Sequence, residues 1–420
     1  MPMQPWFPDA KLGIFLHYGI YAVKGVPESW AMYQGQLSRE DYLAQLNGFT
    51  AANYDPKAWA ELFADAGARY AVLTARHHDG FALWDTAFGD LNVRQTPAGR
   101  DLLQPYADAL RERDLKVGFY YSHSDWTHPL YASVRNQGEA TWVNDNRFVG
   151  PPEGQPDDPA AWEKYLDYRD GQVGELMDRY HPDLLWFDGE WERSEAQWRL
   201  KPLAERILAA NPQTILNARM LSYGDYATPE QGVPILPPDG PWELCLTVND
   251  SWGFQGHDDN HKTVRQLVRY FVETIGAGGN LLLDVGPRED GTITAPQAER
   301  LRGLGAWIRR HSEAVYATVA GLPAGHHYGP STLSADRETL YLMCFDTPRE
   351  TIGLRGVRNQ IRKISVLGSG EELSHHADHG LHDVPGVKWI KAPTTEDAYA
   401  TVIAVELDGE LDLYRGTGRV

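Results

Sequence analysis

Basic residues are scarce in this 420-residue chain. Lys and Arg number 39 against 58 Asp and Glu, a formal net charge of −19. No Lys/Arg run breaks that acidic background, whereas a nucleic-acid groove needs a basic footprint. An anionic membrane surface is disfavoured for the same reason. The expected partner is therefore a small molecule, neutral or cationic, with no nucleic acid and no membrane. Cysteine is nearly absent: Cys245 and Cys344 are the whole complement. They make no disulfide framework and no C-x-x-C, and read as small buried hydrophobes. No apolar run reaches the about 18 residues of a membrane-spanning helix. The first residues, Met-Pro-Met-Gln-Pro-Trp-Phe-Pro, lack the basic start and apolar stretch of a signal peptide. A cytoplasmic protein is expected, or a secreted one if a leader was trimmed. Also missing are G-x-S-x-G, which excludes a serine-hydrolase elbow, and H-E-x-x-H, which weakens a zinc-hydrolase reading.

What is present is globular: 42% hydrophobic and 23% charged residues, with 14 Trp and 21 Tyr. To about residue 315, short apolar runs alternate with amphipathic stretches. The runs are 13–17, 70–74, 116–121, 183–188, 214–217, 242–247 and 280–285; helical periodicity covers 56–67, 101–113, 160–180, 194–210, 263–277 and 294–311. Apolar strands alternating with helices imply a parallel sheet covered on both faces. Seven or eight such units fit an α/β fold, a (β/α)8 TIM-like barrel. A doubly wound open sheet is second, because Leu16-His-Tyr-Gly19 lacks its glycine signature. Beyond about residue 320 helical periodicity stops and short alternating strands follow, as in Thr339–Phe345, Ile361–Leu367 and Ala400–Leu407. Two domains are expected: a catalytic barrel over 1–320 and a small all-β sandwich over 321–420.

Barrel enzymes gather their chemistry at the C-terminal ends of the strands. Those positions hold His17, then His77-His78-Asp79, Tyr120-Tyr121, Trp186-Phe-Asp188-Gly-Glu190-Trp191, Arg219, Glu230 and Trp252. Polar groups that orient a polyol and aromatic faces that stack on it describe a carbohydrate site. Asp188 ends an apolar strand and precedes Gly189, so its carboxylate should project from the barrel mouth. Glu230 lies in Thr228-Pro-Glu, a good helix start, but Gln231-Gly-Val-Pro234 forbids the helix. Two carboxylates on neighbouring strand-end loops suit glycoside hydrolysis. Neighbours on a strand face opposite ways, so His77 and His78 should not share an ion. No metal ion and no cofactor are expected. The run Ser374-His-His-Ala-Asp-His-Gly-Leu-His-Asp383 suggests metal binding by composition alone.

Five stretches recur together in one known family: Trp6-Phe-x-x-Ala-Lys-Leu-Gly-Ile-Phe-Leu-His-Tyr-Gly19, Thr74-Ala-Arg-His-His-Asp-Gly-Phe-Ala-Leu-Trp84, Trp186-Phe-Asp-Gly189, Tyr226-Ala-Thr-Pro-Glu230 and Ser251-Trp-Gly253. On them the chain resembles the α-L-fucosidases of glycoside hydrolase family 29. The resemblance implies a barrel with a C-terminal β-sandwich, and a retaining, metal-independent hydrolysis of terminal α-L-fucosides. It implies Asp188 as nucleophile and Glu230 as acid/base. It also implies sugar contacts from His17, His77, His78, Trp186 and Arg219, with Tyr120 or Tyr121 as a further one. Trp252 belongs to the same rim. The family pattern has an adjacent Glu-Trp after the first strand; here Glu28-Ser-Trp30 stands in its place, and Glu28 and Trp30 are expected near the sugar. A homo-oligomer is compatible with this reading. Its rivals are a metal-dependent barrel hydrolase using His17, His77 and His78, and a non-catalytic fucose-binding protein.

Overall fold

Seven apolar segments form strands buried on both faces. They are β1 (Leu12–Leu16), β2 (Tyr70–Arg76), β3 (Lys116–Ser122), β4 (Leu184–Asp188), β5 (Ile215–Leu216), β6 (Glu243–Thr247) and β7 (Asn280–Val285). In the computed structural model, which describes residues 3–137, 148, 150–346 and 348–416, they pair in parallel in the order β5-β4-β3-β2-β1-β7-β6. The two edges, β5 and β6, are joined through the segment 226–230. Parallel bridges link Asn217 to Tyr226, Ala227 to Trp242 and Glu230 to Cys245. This segment takes the eighth staveʼs place and closes the ring in chain order. No helix follows Thr228-Pro-Glu, as Gln231-Gly-Val-Pro234 requires; the backbone is extended and bonded to β6, with Cys245 N–H on the Pro229 carbonyl and Gln231 N–H on that of Cys245.

Helices Pro56–Asp65, Leu103–Arg111, Pro159–Glu175, Leu200–Ala210, Val264–Gly276 and Ala295–Arg310 cover the outside. Asp55 caps the first by accepting from the N–H groups of Lys57 and Ala58. Thr263 and Gln266 form a reciprocal capping box at Val264–Gly276. Such caps satisfy N–H groups that the first helical turn leaves unpaired. The helix expected from 194 starts only at Leu200, because Arg199 sits in the left-handed region at φ 52°.

Period-two alternation sorts the strand side chains. Phe15, Tyr70, Val72, Tyr120, Leu184, Trp186, Ile215, Cys245 and Leu282 point into the barrel, joined by Phe7 from the N-terminal helix Trp6–Ala10. The intervening residues pack under the helices.

The C-terminal part is antiparallel. One sheet holds β8 (Thr318–Ala320), β9 (Ser331–Ser334), β10 (Thr339–Cys344), β12 (Ile361–Val366) and β15 (Thr401–Leu407); the other holds β11 (Thr351–Leu354), β13 (His375–Ala377) and β14 (Lys388–Lys391). Their shared core includes Leu342, Ile352, Ile390 and Val405. Successive residues of β10 divide between two cores: Leu340 and Leu342 face the sandwich, Tyr341 and Met343 the barrelʼs helical layer. No helix among the described residues is long and apolar enough to cross a membrane.

Candidate active site

The strand ends surround a cavity of about 390 Å³. Its walls are Phe15, His17, Trp30, His77, His78, Tyr120, Trp186, Asp188, Glu190, Trp191, Arg219, Glu230 and Trp252. Asp188 is the last residue of β4, and the chain turns away at once through Gly189, whose φ of 78° suits glycine. A side chain there would also collide with Ser124, since a Cβ would stand 2.7 Å from its hydroxyl. The carboxylate of Asp188 accepts from the Tyr120 hydroxyl at 2.9 Å and from Arg219 at 3.2 Å, with His78 Nε2 3.6 Å away.

Arg219 joins three carboxyl groups. Besides Asp188 it reaches Glu230 at 3.0 Å and Glu190 at 3.5 Å, and its guanidinium lies over the Trp186 ring at 5.6 Å. Burial pushes Glu190 up to about 7 against the pull of Arg219, with Asp188 adding to the rise. Glu230 is the most exposed of the three, with 45% of its side chain accessible. Its pKa is also raised, by desolvation in its surroundings against the opposing charge of Arg219. One carboxylate clamped by two donors and another biased toward its protonated form is the division of labour that acid catalysis beside a nucleophile requires.

Each of the three histidines is oriented through Nδ1. His17 bonds Asp284 at 2.7 Å, His77 the Ser29 hydroxyl at 2.5 Å and His78 the Ser122 hydroxyl at 2.6 Å. That leaves Nε2 as the nitrogen for a ligand. Burial lowers His77 well below the ordinary imidazole value and takes His78 to about 4. His17 goes the other way: burial opposes its charge, but the Asp284 carboxylate outweighs it and raises the pKa. The expectation that His77 and His78 face opposite ways fails. β2 ends at Arg76, and both rings, 4.2 Å apart, lie on the cavity wall. Even so, among the described residues no three His, Cys, Asp or Glu side chains are gathered to hold a metal ion.

Of the two tyrosines, Tyr120 faces the cavity. Tyr121 points outward, as strand alternation demands, with its hydroxyl on Gln172 at 2.9 Å and Arg76 over its ring at 4.3 Å. Trp30 and Trp252 line the cavity, but Glu28 does not. It is buried behind the wall, where its carboxylate accepts from the Gly253 N–H at 2.6 Å and so braces the loop that carries Trp252. Glu190 and Trp191 are wall residues that the strand-end rule reaches, since only Gly189 separates them from Asp188. Phe15 and Asp284, which read as strand core in the sequence, also serve the site, Phe15 on the wall and Asp284 behind His17. His375, His376, His379 and His382 lie exposed in the C-terminal part.

Comparison with known proteins identifies a family. The family pattern described as Alpha-L-fucosidase matches residues 1–313. The tissue alpha-L-fucosidase of Rattus norvegicus is 33% identical over 346 residues, covering 76% of this chain and 70% of that protein. Its Homo sapiens counterpart is 30% identical over 345 residues, with 76% and 70% covered. Among solved structures, alpha-L-fucosidase isoenzyme 1 from Paenibacillus thiaminolyticus superposes with a TM-score of 0.85 at 34% identity, over 96% of this chain and 98% of that one. The Thermotoga maritima alpha-fucosidase gives 0.77 at 29%, over 96% and 97%.

Proposed function

The chain belongs to the α-L-fucosidase family of glycoside hydrolases, and from that premise we propose that Asp188 and Glu230 release terminal α-L-fucose by a retaining double displacement. One observation carries the assignment: a single guanidinium, Arg219, holds both carboxyl groups on the wall of one cavity. In the first step an Asp188 oxygen attacks the anomeric carbon. The bond from that carbon to the aglycone oxygen breaks, its electron pair stays on the departing oxygen, and Glu230 supplies that oxygen with a proton. A fucosyl ester on Asp188 results. Glu230, now a carboxylate, then takes a proton from water as the water oxygen attacks the same carbon. The ester bond breaks, Asp188 regains its carboxylate, and fucose leaves with its original configuration. Arg219 and the Tyr120 hydroxyl stabilise the Asp188 carboxylate before attack and as it is released. Desolvation raises the pKa of Glu230 against the pull of Arg219, which favours the protonated form that the leaving group needs. His17, His77 and His78, fixed through Nδ1, present Nε2 to sugar hydroxyls. Trp30 and Trp252 offer ring faces to the apolar side of the sugar, and Trp186, covered by Tyr120 and Arg219, backs the attacking carboxylate.

Substitution Asp188→Gly tests the assignment. Turnover of an aryl α-L-fucoside should fall by orders of magnitude, since the covalent route is lost. Added azide, attacking from the side the carboxylate vacates, should yield a fucosyl azide of inverted configuration. Near-normal turnover by the variant would overturn the role of Asp188.

A further inference from the structure

Beneath the catalytic rim, the barrel encloses a carboxyl group that the double displacement does not use. Glu243, the first residue of β6, is wholly buried. One oxygen accepts from the Trp186 indole N–H at 2.9 Å and the other from the Tyr70 hydroxyl. Both partners are neutral, and burial pushes Glu243 up to about 7. An isolated acid in such a place is costly unless its hydrogen bonds are worth keeping. The chain makes room for the arrangement: Gly13 lies against Tyr70, where any Cβ would stand 2.3 Å from the phenol ring.

The upper end of this stack reaches the chemistry. Trp186 stacks on Tyr120 with ring centroids 5.7 Å apart and planes inclined by 17°, and carries Arg219 over its face. Tyr120 and Arg219 are the two groups that donate to Asp188. A tilt of the indole would therefore displace both donors together. We propose that Glu243 is a positioning residue, which fixes the Trp186 indole from inside the barrel and, through Tyr120 and Arg219, the attacking carboxylate. The proposal rests on the reading of the cavity as the fucoside site and deepens it. Small displacements of a reacting group are enough to matter, since about 1 Å of misplacement can cost roughly a hundredfold.

The test is steady-state kinetics of the full chain on an aryl α-L-fucoside, with melting curves for every variant. Glu243→Leu combined with Tyr70→Phe removes both acceptors without stranding the phenol. It should lower kcat roughly tenfold to a hundredfold with a smaller change in KM. Tyr70→Phe alone should leave kcat unchanged, and Glu243→Gln, which keeps an acceptor for the indole, should restore most of the loss. In a Trp186→Phe background the Glu243 substitution should cost nothing further, because its target N–H is gone. If the leucine variant does not fold, Glu243→Met keeps the side-chain length without the acceptors. Wild-type kcat in the folded Glu243→Leu or Glu243→Met variant would overturn the proposal, as would an undiminished loss in the Trp186→Phe background. Absence of turnover by the unaltered chain would instead overturn the parent reading.

Discussion

The barrel interior and the sandwich core are both buried, but they are made of different things. The sandwich cluster consists of leucine, isoleucine and valine: Leu333, Leu340, Leu342, Ile364, Ile403, Val405 and their like. The barrel interior is dominated by Phe15, Tyr70, Tyr120, Trp186 and Tyr226. Aliphatic side chains only fill space. Tyrosine and tryptophan bury a large apolar body and still deliver one polar atom at its tip. Tyr120 delivers its hydroxyl to Asp188; Tyr70 delivers its hydroxyl and Trp186 its indole N–H to Glu243. One core holds the fold together, and the other also aims functional groups. Substitutions in the two cores should therefore have unlike consequences for turnover.

The largest contrast is expected at the rim. Glu230→Ala should slow fucosides with poor leaving groups by roughly a hundredfold to ten-thousandfold, the usual worth of a general acid, while an activated aryl fucoside should keep its first step nearly intact. Measuring kcat/KM for the two substrate classes decides it. An equal loss on both would move the acid to another carboxyl group, and Glu190, on the same guanidinium, is next. A smaller effect belongs one layer down. Asp284→Asn keeps the size of the side chain but removes the charge that orients His17 and raises its pKa. Carboxylates that orient metal-bound histidines cost about tenfold to a hundredfold when replaced, and a loss of the same order is expected for one that orients a sugar-binding histidine. Here the loss should fall mainly on KM for the fucoside, with the melting temperature little changed; an unaltered KM would remove His17 from sugar binding.

The same two layers mark how far the residues alone could be read. All seven strands fall within two residues of the apolar runs that announced them, because buried parallel strands leave a contiguous apolar signal. Asp188, His17, Trp186 and Arg219 were found because strand ends are where barrel chemistry collects. The eighth stave was missed. Its few bridges and Pro229 give no apolar run, and Thr228-Pro-Glu carries the letters of a helix start. Tyr120 and Tyr121 were left undivided although strand alternation allows one inward, since the phase of the strand is set by neighbours distant in sequence. Asp284 and Glu243 were invisible for a related reason. Each lies in an apolar strand, with partners 267 and 57 residues away, and no local spacing reports such contacts.

Two adjacent residues of β10 serve the two cores separately. Leu342 is fully buried in the sandwich core and Met343 is fully buried against the barrelʼs helical layer. Either one truncated to Ala should lower stability by about 2–5 kcal/mol, the cost of a core cavity. Neither touches the cavity wall. Leu342→Ala removes only aliphatic contacts within the sandwich, so kcat on an aryl fucoside, measured well below the melting transition, should equal that of the unaltered chain. Met343→Ala acts on the layer that supports the barrel strands. Any kinetic change from this pair should therefore appear in Met343→Ala alone. A fall in kcat with Leu342→Ala would mean that packing in the sandwich is transmitted through the shared sheet to Asp188, and the division between a core that packs and a core that aims would no longer hold.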